Sequence, residues 1–337
     1  MIKGAVIGLG KMGLSHTAII RAHANVELVA VCDTSPIVLD FFKKFSPVKT
    51  YKDYKELIDK ENIDFVLIAT PTTLHYPITK YSLEKGLHVF CEKPFSHSSV
   101  QGKELVELAG QKGLVNQVGY HNQFIGTFRE MKRLIKNDIL GNLVHFTGEA
   151  YGPVVTKENG GTWRSNPGEA GGCLYDYASH VLNLIQEIIG RPDKIRGTLL
   201  KSIYSKGVED AVYSLLEIKG LSGLLSVNWS DETYRKMSTS ITVQGKKGKI
   251  ICDATELKIY LKEPSRSENL EKGWTIKYIT DLAIPVNYYL RGEEYSAQLD
   301  YFIENVTKKK QVEINSFEQA LYTDRIIEMI FENAKAI

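Results

Sequence analysis

The sequence is poor in the features that mark several protein classes. Its four cysteines, Cys32, Cys91, Cys173 and Cys252, are widely spaced and form no C-x-x-C pair. That excludes a disulfide framework and a cysteine-based zinc site, and a reducing compartment fits. No run approaches the ~18 consecutive apolar residues of a membrane span, so no membrane partner is expected. The charge is balanced, 42 Lys+Arg against 40 Asp+Glu, a formal +2. This removes the whole-chain electrostatic case for nucleic acid. Internal repeats and low-complexity segments are absent. The opening residues Met1–Gly8 hold too short an apolar run for a signal peptide, and Gly-x-Gly stands where a cleavage site would be. They read as the first strand of a cytoplasmic protein.

What is present is an ordinary globular composition, 43% hydrophobic and 24% charged over 337 residues, long enough for about two domains. Up to about residue 120, short β-rich runs alternate with helical spacing. Strands are expected at Lys3–Gly8, Glu27–Asp33, Ile63–Ala69, His88–Cys91 and Leu114–Gly119. Between them lie helices at Lys11–Ala22, Pro36–Phe45, Asp53–Lys60, Tyr76–Lys85 and Ser98–Lys112. Alternation of this kind means βαβ units and a parallel sheet. After Asn122 a helix at Ile125–Asn137 leads into a strand-rich stretch in which Val208–Ile218, Leu221–Ser230 and Ser238–Gln244 resemble neighbouring antiparallel strands. Helical spacing returns at Glu294–Val306 and Ser316–Ile330. The expectation is an α/β domain at 1–122 and an α+β domain at 123–337. Lys308-Lys309-Lys310 reads as a solvated turn after a helix.

Gly8-Leu9-Gly10-Lys11-Met12-Gly13 is a G-x-G-x-x-G between a strand and a helix, and Asp33 ends the second strand 20 residues after Gly13. That is the context of a dinucleotide site. Gly8 allows the tight turn, Gly10 lets the backbone approach a pyrophosphate, and Gly13 lets the helix pack on the strand. The helix N-terminus then offers N–H groups and partial positive charge. Asp33 accepts hydrogen bonds from a ribose 2′-hydroxyl and repels a 2′-phosphate. Thr34, Ser35 and Pro36 follow it, with no Arg, which favours NAD over NADP.

Three more segments narrow the reading: Ala69-Thr70-Pro71-Thr72-Thr73-Leu74-His75, the run Gly86–Pro94 ending in Glu92-Lys93-Pro94, and Gly171-Gly172-Cys173-Leu174-Tyr175-Asp176-Tyr177-Ala178-Ser179-His180. With the glycine motif they resemble, in order and over most of the chain, the glucose–fructose oxidoreductase / inositol dehydrogenase / rhizopine-catabolism (Gfo/Idh/MocA) oxidoreductase family. The resemblance implies an N-terminal Rossmann domain and a second domain with a largely antiparallel open sheet. It also implies pyridine-nucleotide chemistry on a sugar, cyclic polyol or sugar derivative, in a homodimer or homotetramer, since an open apolar sheet face needs covering.

The family's catalytic Lys maps onto Lys93, and its Asp and His onto Asp176 and His180. Lys93 would stabilise a developing alkoxide. His180 would be the general acid/base, its tautomer fixed by Asp176 if the two share a helix face at i, i+4. Ala69, Thr70, Pro71, His75, Glu92 and Lys93 itself are expected beside the cofactor, as is Trp163-Arg164, which matches a family Trp-Arg. Tyr120, Asn122, Gln123, Tyr151 and Tyr175 are candidate substrate contacts. Many relatives carry Arg where Gln123 stands, and Asp is frequent where Asn183 stands. No metal is implied. Two alternatives stay open: a nucleotide-sugar oxidoreductase that retains its cofactor, and a nucleotide-binding regulatory protein.

Overall fold

The structure, a computed structural model, describes residues 1–158, 163–169, 171–286 and 288–335. In chain order it begins β1 (Ile2–Ile7), α1 (Lys11–Ala22), β2 (Val26–Cys32), α2 (Pro36–Phe45), β3 (Lys49–Tyr51), α3 (Tyr54–Lys60), β4 (Phe65–Ile68), α4 (His75–Glu84), β5 (His88–Cys91), α5 (Ser99–Gln111) and β6 (Asn116–Val118). There follow α6 (Gly126–Lys136), β7 (Leu143–Tyr151), α7 (Ser179–Ile188), β8 (Lys194–Lys201), β9 (Ala211–Ile218), β10 (Leu221–Asn228), β11 (Ser238–Gly245), β12 (Gly248–Asp253), β13 (Glu256–Leu261) and β14 (Gly273–Tyr278). The chain ends with α8 (Ile279–Leu282), α9 (Glu293–Lys308) and α10 (Phe317–Lys335).

Two compact units form: Met1–His121 with Pro285–Leu321, and Asn122–Ile284 with Tyr322–Ile337. The first holds a six-stranded sheet in the order β3-β2-β1-β4-β5-β6, every neighbouring pair parallel. Apolar side chains alternate between its two faces. Ala5, Ile7, Val66, Ile68 and Val89 face one core, and Val6, Val31, Phe65, Leu67 and Phe90 face the other. Both faces are covered, so the strands read as continuous apolar runs.

The second domain does not run unbroken from 123 to 337. Residues Pro285–Leu321 belong to the first unit. The reason is α9, whose Leu299, Phe302, Ile303 and Val306 complete one of that unit's cores. The Phe302 ring lies 5.6 Å from Phe65 and 5.7 Å from Phe90, edge to face. The Val118 amide also donates to the Asn315 carbonyl at 2.8 Å.

The second unit is built on an eight-stranded sheet, β14-β13-β12-β11-β7-β10-β9-β8. All neighbours are antiparallel except β7 and β10. β10 and β11 are therefore not neighbours as their sequence patterns suggested; β7 inserts between them. Strict alternation in β11, β12 and β13 puts Ile241, Val243, Ile250, Cys252, Leu257 and Ile259 into one core. α7 lies on that face, with Val181 and Ile185 so close to Gly148 of β7 that a Cβ there would overlap them. The opposite face carries Leu199, Tyr213, Leu215, Trp274 and Ile276, all exposed. Among the described residues no helix is long and apolar enough to cross a membrane.

Candidate functional site

In the first unit, the glycine turn closes between β1 and α1. Gly8 has φ +92, in the left-handed region that favours glycine. The Gly8 amide donates to the Cys32 carbonyl at 2.8 Å. A Cβ on Gly13 would overlap the Gly8 carbonyl oxygen, so only glycine lets α1 start this close to the strand. Gly10 has nothing within 4 Å of where a Cβ would be and caps α1 without any side-chain hydrogen bond. The first-turn amides, at Lys11, Met12 and Gly13, lie at the positive end of the helix, where no intrahelical acceptor is available to them. This cradle fits a pyrophosphate.

Asp33 extends the cradle. One carboxylate oxygen accepts from the Leu9 amide at 2.6 Å and the other from the Ser35 amide at 2.8 Å. The carboxylate is clamped across the glycine turn, and each oxygen keeps a lone pair for a ribose hydroxyl.

The loop after β4 and the strand β5 face the same edge of the sheet, at the carboxyl ends of the strands, where open α/β sheets bind ligands. The Ala69 amide donates to the Ile7 carbonyl at 2.8 Å, placing Ala69-Thr70-Pro71 against the Gly8 turn. His75 is buried, its Nδ1 2.8 Å from the Pro94 carbonyl oxygen and its Nε2 3.0 Å from that of Thr70. Burial pushes its pKa down, against the pull of these two carbonyls. Both ring nitrogens are engaged inside the protein. His75 ties the Thr70 loop to the Lys93-Pro94 peptide.

Glu92 is likewise internal. Its Oε1 lies 2.6 Å from Nε2 of the fully buried His16, and its Oε2 accepts from the Lys93 amide at 3.2 Å. Burial alone would raise its pKa. The His16 hydrogen bond, with the charges of His16, Lys93 and His121, more than offsets this, and the carboxyl sits below its usual range. Glu92 thus fixes the main chain at Lys93. His16 went unnoticed in the sequence. Its place one turn after Gly13, on the buried side of α1, is the only signal there. His121 stacks on Tyr295 with centroids 4.5 Å apart, and burial pushes its pKa down to about 3. Tyr120 is fully buried in the core, and its carbonyl accepts from Asn315 Nδ2 at 2.8 Å.

In the second unit, Asp176 and His180 do not share an uninterrupted α-helix. Leu174–Ala178 form one π-helical turn that runs into α7, a wide turn of the kind that collects at functional sites. The i, i+4 argument for a common face therefore does not apply in its simple form. Arg164 Nε donates to Asp176 Oδ2 at 3.0 Å. The arginine expected at the cofactor thus holds the candidate catalytic carboxylate. The Trp163 side chain lies outside the described part of the chain. His180 is 2% exposed, at the start of a helix buried on nearly all sides.

Gln123 and Asn183, the two positions that depart from the family pattern, touch each other. Gln123 Nε2 donates to Asn183 Oδ1 at 2.9 Å and to its carbonyl at 3.2 Å. The two side chains form a neutral, buried amide pair. Asn122 is buried beside it. Tyr175 packs on Phe331, centroids 5.7 Å apart, inside the core, and burial pushes its phenol up. Tyr151 is on the outer sheet face, opposite the one α7 covers, since its neighbour Ala150 points inward. There it bonds Ser226 Oγ at 2.7 Å and stacks on Tyr234.

With this geometry in place, the comparisons with known proteins are informative. Residues 2–120 match the family described as "Oxidoreductase family, NAD-binding Rossmann fold", and residues 128–251 match the "GFO/IDH/MocA C-terminal domain". The chain belongs to the Gfo/Idh/MocA oxidoreductase family. An uncharacterized oxidoreductase of Schizosaccharomyces pombe is 31% identical over 59% of this chain and 54% of its own. Myo-inositol 2-dehydrogenase of Thermotoga maritima is 27% identical over 74% of each. The chain spans about half the length of the first of these relatives. Levoglucosan dehydrogenase in complex with NADH and levoglucosan superposes with a TM-score of 0.87 at 20% identity, covering 99% of this chain and 97% of that one. This likeness shows a common fold, a Rossmann-type parallel sheet followed by a mostly antiparallel one.

Proposed function

We propose that this member of the Gfo/Idh/MocA family is a NAD-dependent dehydrogenase acting on a secondary alcohol of a sugar, cyclic polyol or sugar derivative, or on the corresponding ketone. The observation that carries the reading is the sheet edge of the first unit. There the Gly8–Gly13 cradle, Asp33 and Lys93 stand at the carboxyl ends of β1, β2 and β5, and the Lys93 main chain is clamped by Glu92. The inositol and levoglucosan dehydrogenases among the relatives support the substrate class.

The cradle amides and Asp33 would hold the pyrophosphate and adenosine ribose. When bound, the nicotinamide supplies the acceptor for the carbinol hydride. The chain's own residues manage the proton and the charge. His180 takes the hydroxyl proton as the C–H bond is broken, and returns it in the reverse direction. Lys93 donates a hydrogen bond to the same oxygen as negative charge builds there. Asp176, held by Arg164, orients the imidazole or the substrate hydroxyl.

The reading is tested by absorbance at the reduced-nicotinamide band, with NAD and NADP supplied separately against inositols, free sugars, sugar acids and nucleotide sugars. Turnover with NAD on one polyol or sugar class is expected. Turnover confined to nucleotide sugars, without added coenzyme, would instead indicate a retained cofactor. Asp33→Asn puts an amide N–H against one of the two backbone donors it now binds and removes the charge facing the 2′ position. The NAD-over-NADP ratio of kcat/KM should shrink by about 10-fold or more. An unchanged ratio would remove Asp33 from coenzyme selection.

The chain is further proposed to be a homodimer or homotetramer in the cytoplasm. The exposed apolar residues on the outer face of the eight-stranded sheet, with Leu215 51% and Trp274 57% accessible, support this. Leu215→Glu combined with Trp274→Glu is expected to yield monomers in sedimentation velocity. A multimer that survives both charges would place the interface elsewhere.

A further inference from the structure

The second glycine before the π-helical turn is shaped around one carboxylate. Gly172 has φ +109, and a Cβ there would overlap the carboxylate of Glu209. Glu209 lies just before β9 and is 6% exposed. Its Oε1 accepts from the Leu174 amide at 2.9 Å, and its main-chain carbonyl accepts from the Cys173 amide at 3.0 Å. The chain from Gly172 to Leu174 is thus laid along Glu209, and the next residues carry Asp176 and lead into His180.

We propose that Glu209 is a positioning residue that sets the Gly172–Ala178 turn, and through it Asp176 and His180, by the hydrogen bond from the Leu174 amide. The proposal rests on the reading of Asp176 and His180 given above. Neither motif matching nor sequence spacing singled out Glu209.

The charge state of Glu209 makes the device adjustable. Burial pushes its pKa up to about 7, the Leu174 hydrogen bond only partly opposing it and Asp210 adding to it. The other titratable groups that face it stay fixed near neutrality. Burial holds the Cys173 thiol and the Tyr175 phenol high. Asp210 stays below its usual range: burial would raise it, but Ser205, Trp229 and the Tyr204 amide donate to it. Ionised Glu209 is the stronger acceptor for the Leu174 N–H, so the turn is held more firmly above the midpoint than below it.

The test follows amide resonances in isotope-labelled, full-length protein with NAD present. In wild type the Leu174, Asp176 and His180 amides should shift together with a common midpoint near 7. In Glu209→Gln, which keeps size and an acceptor oxygen, that step should vanish. A Leu174 step that Asp176 and His180 do not share would overturn the positioning role, and the absence of any step would remove the carboxylate from this bond. The kinetic counterpart is the wild-type to Glu209→Gln ratio of kcat, expected to rise about 3-fold or more from pH 6 to 8 while KM for NAD is unchanged. A flat ratio counts against the proposal. These outcomes are separable from failure of the functional reading, which would show as full turnover in the Lys93 and His180 variants whatever Glu209 does. A stability check has its own sign. A carboxyl with a raised folded-state pKa loses stability as pH rises from its unfolded value toward the folded one. Glu209→Gln should therefore melt higher than wild type at pH 8 and lose that advantage at pH 5.

Discussion

Replacing Lys93 by Met should lower kcat by about 10²–10³-fold while leaving NAD affinity within about twofold. Met keeps the length and volume of the side chain and removes the ammonium. The fold should tolerate the change. Lys93 is half-buried, and Glu92 keeps its 2.6 Å contact with His16 after the nearby positive charge is gone. The Lys93 backbone is held by its own amide and by the His75 clasp on Pro94, neither of which involves the ammonium. What is lost is a charge-assisted donor aimed at an oxygen that turns anionic only during the reaction. Loss of such a donor appears in kcat far more than in substrate affinity. Coenzyme affinity from nicotinamide fluorescence, measured beside turnover, separates the two. Near-wild-type turnover in Lys93→Met would end its assignment as the charge-stabilising residue.

His180→Ala should reduce kcat for alcohol oxidation by about 10²–10⁴-fold, the usual span for loss of a general acid/base. It should also change the pH profile. In wild type, oxidation requires an unprotonated base, so kcat falls on the acid side. Without His180 the residual rate should lose that acid limb and depend on hydroxide. His180→Asn is the useful companion, because it keeps a polar side chain in a fully packed helix. His180 is 2% exposed, so a truncation to Ala leaves a cavity that costs about 1–3 kcal/mol of stability. If Asn folds like wild type and is equally inactive, the loss is chemical. If either variant keeps its acid limb, the base is another group.

The sequence was most informative where its signal is local. α1, α2 and β5 fall at the expected bounds, because a proline start, an apolar face and a turn glycine are written in consecutive residues. β3 was missed because three residues, Lys49–Tyr51, are too few to show alternation. The order of the large sheet was only partly legible, since β7 pairs with two strands far downstream and nothing in its own residues names them. The same limit hid the partners inside the site. A lone His such as His16 and a lone Glu such as Glu209 gain meaning from what the fold buries beside them. Conversely, Tyr175 and Tyr151 looked like substrate contacts by their position in the chain, and packing placed one in a core and the other on the far side of a sheet. The Gln123–Asn183 contact is a case between these. Two positions 60 residues apart carried no sign of each other in the sequence until the fold set their amides in contact.

The return of residues 285–321 to the first unit bears on how the molecule is made. During synthesis the first six strands leave the ribosome early, carrying a sheet whose Phe65 and Phe90 face is covered only in part, by α1 and α2, until α9 emerges more than 170 residues later. The edge strand β6 waits as long for Asn315. The coenzyme fold is thus among the first parts translated and among the last completed. In the interval its open face is an apolar, aggregation-prone surface of the kind that chaperones cover. Contacts of such long sequence separation also make folding slow. A ribosome stall or premature stop between residues 122 and 284 would release a chain that has every glycine of the nucleotide cradle above a sheet left partly uncovered.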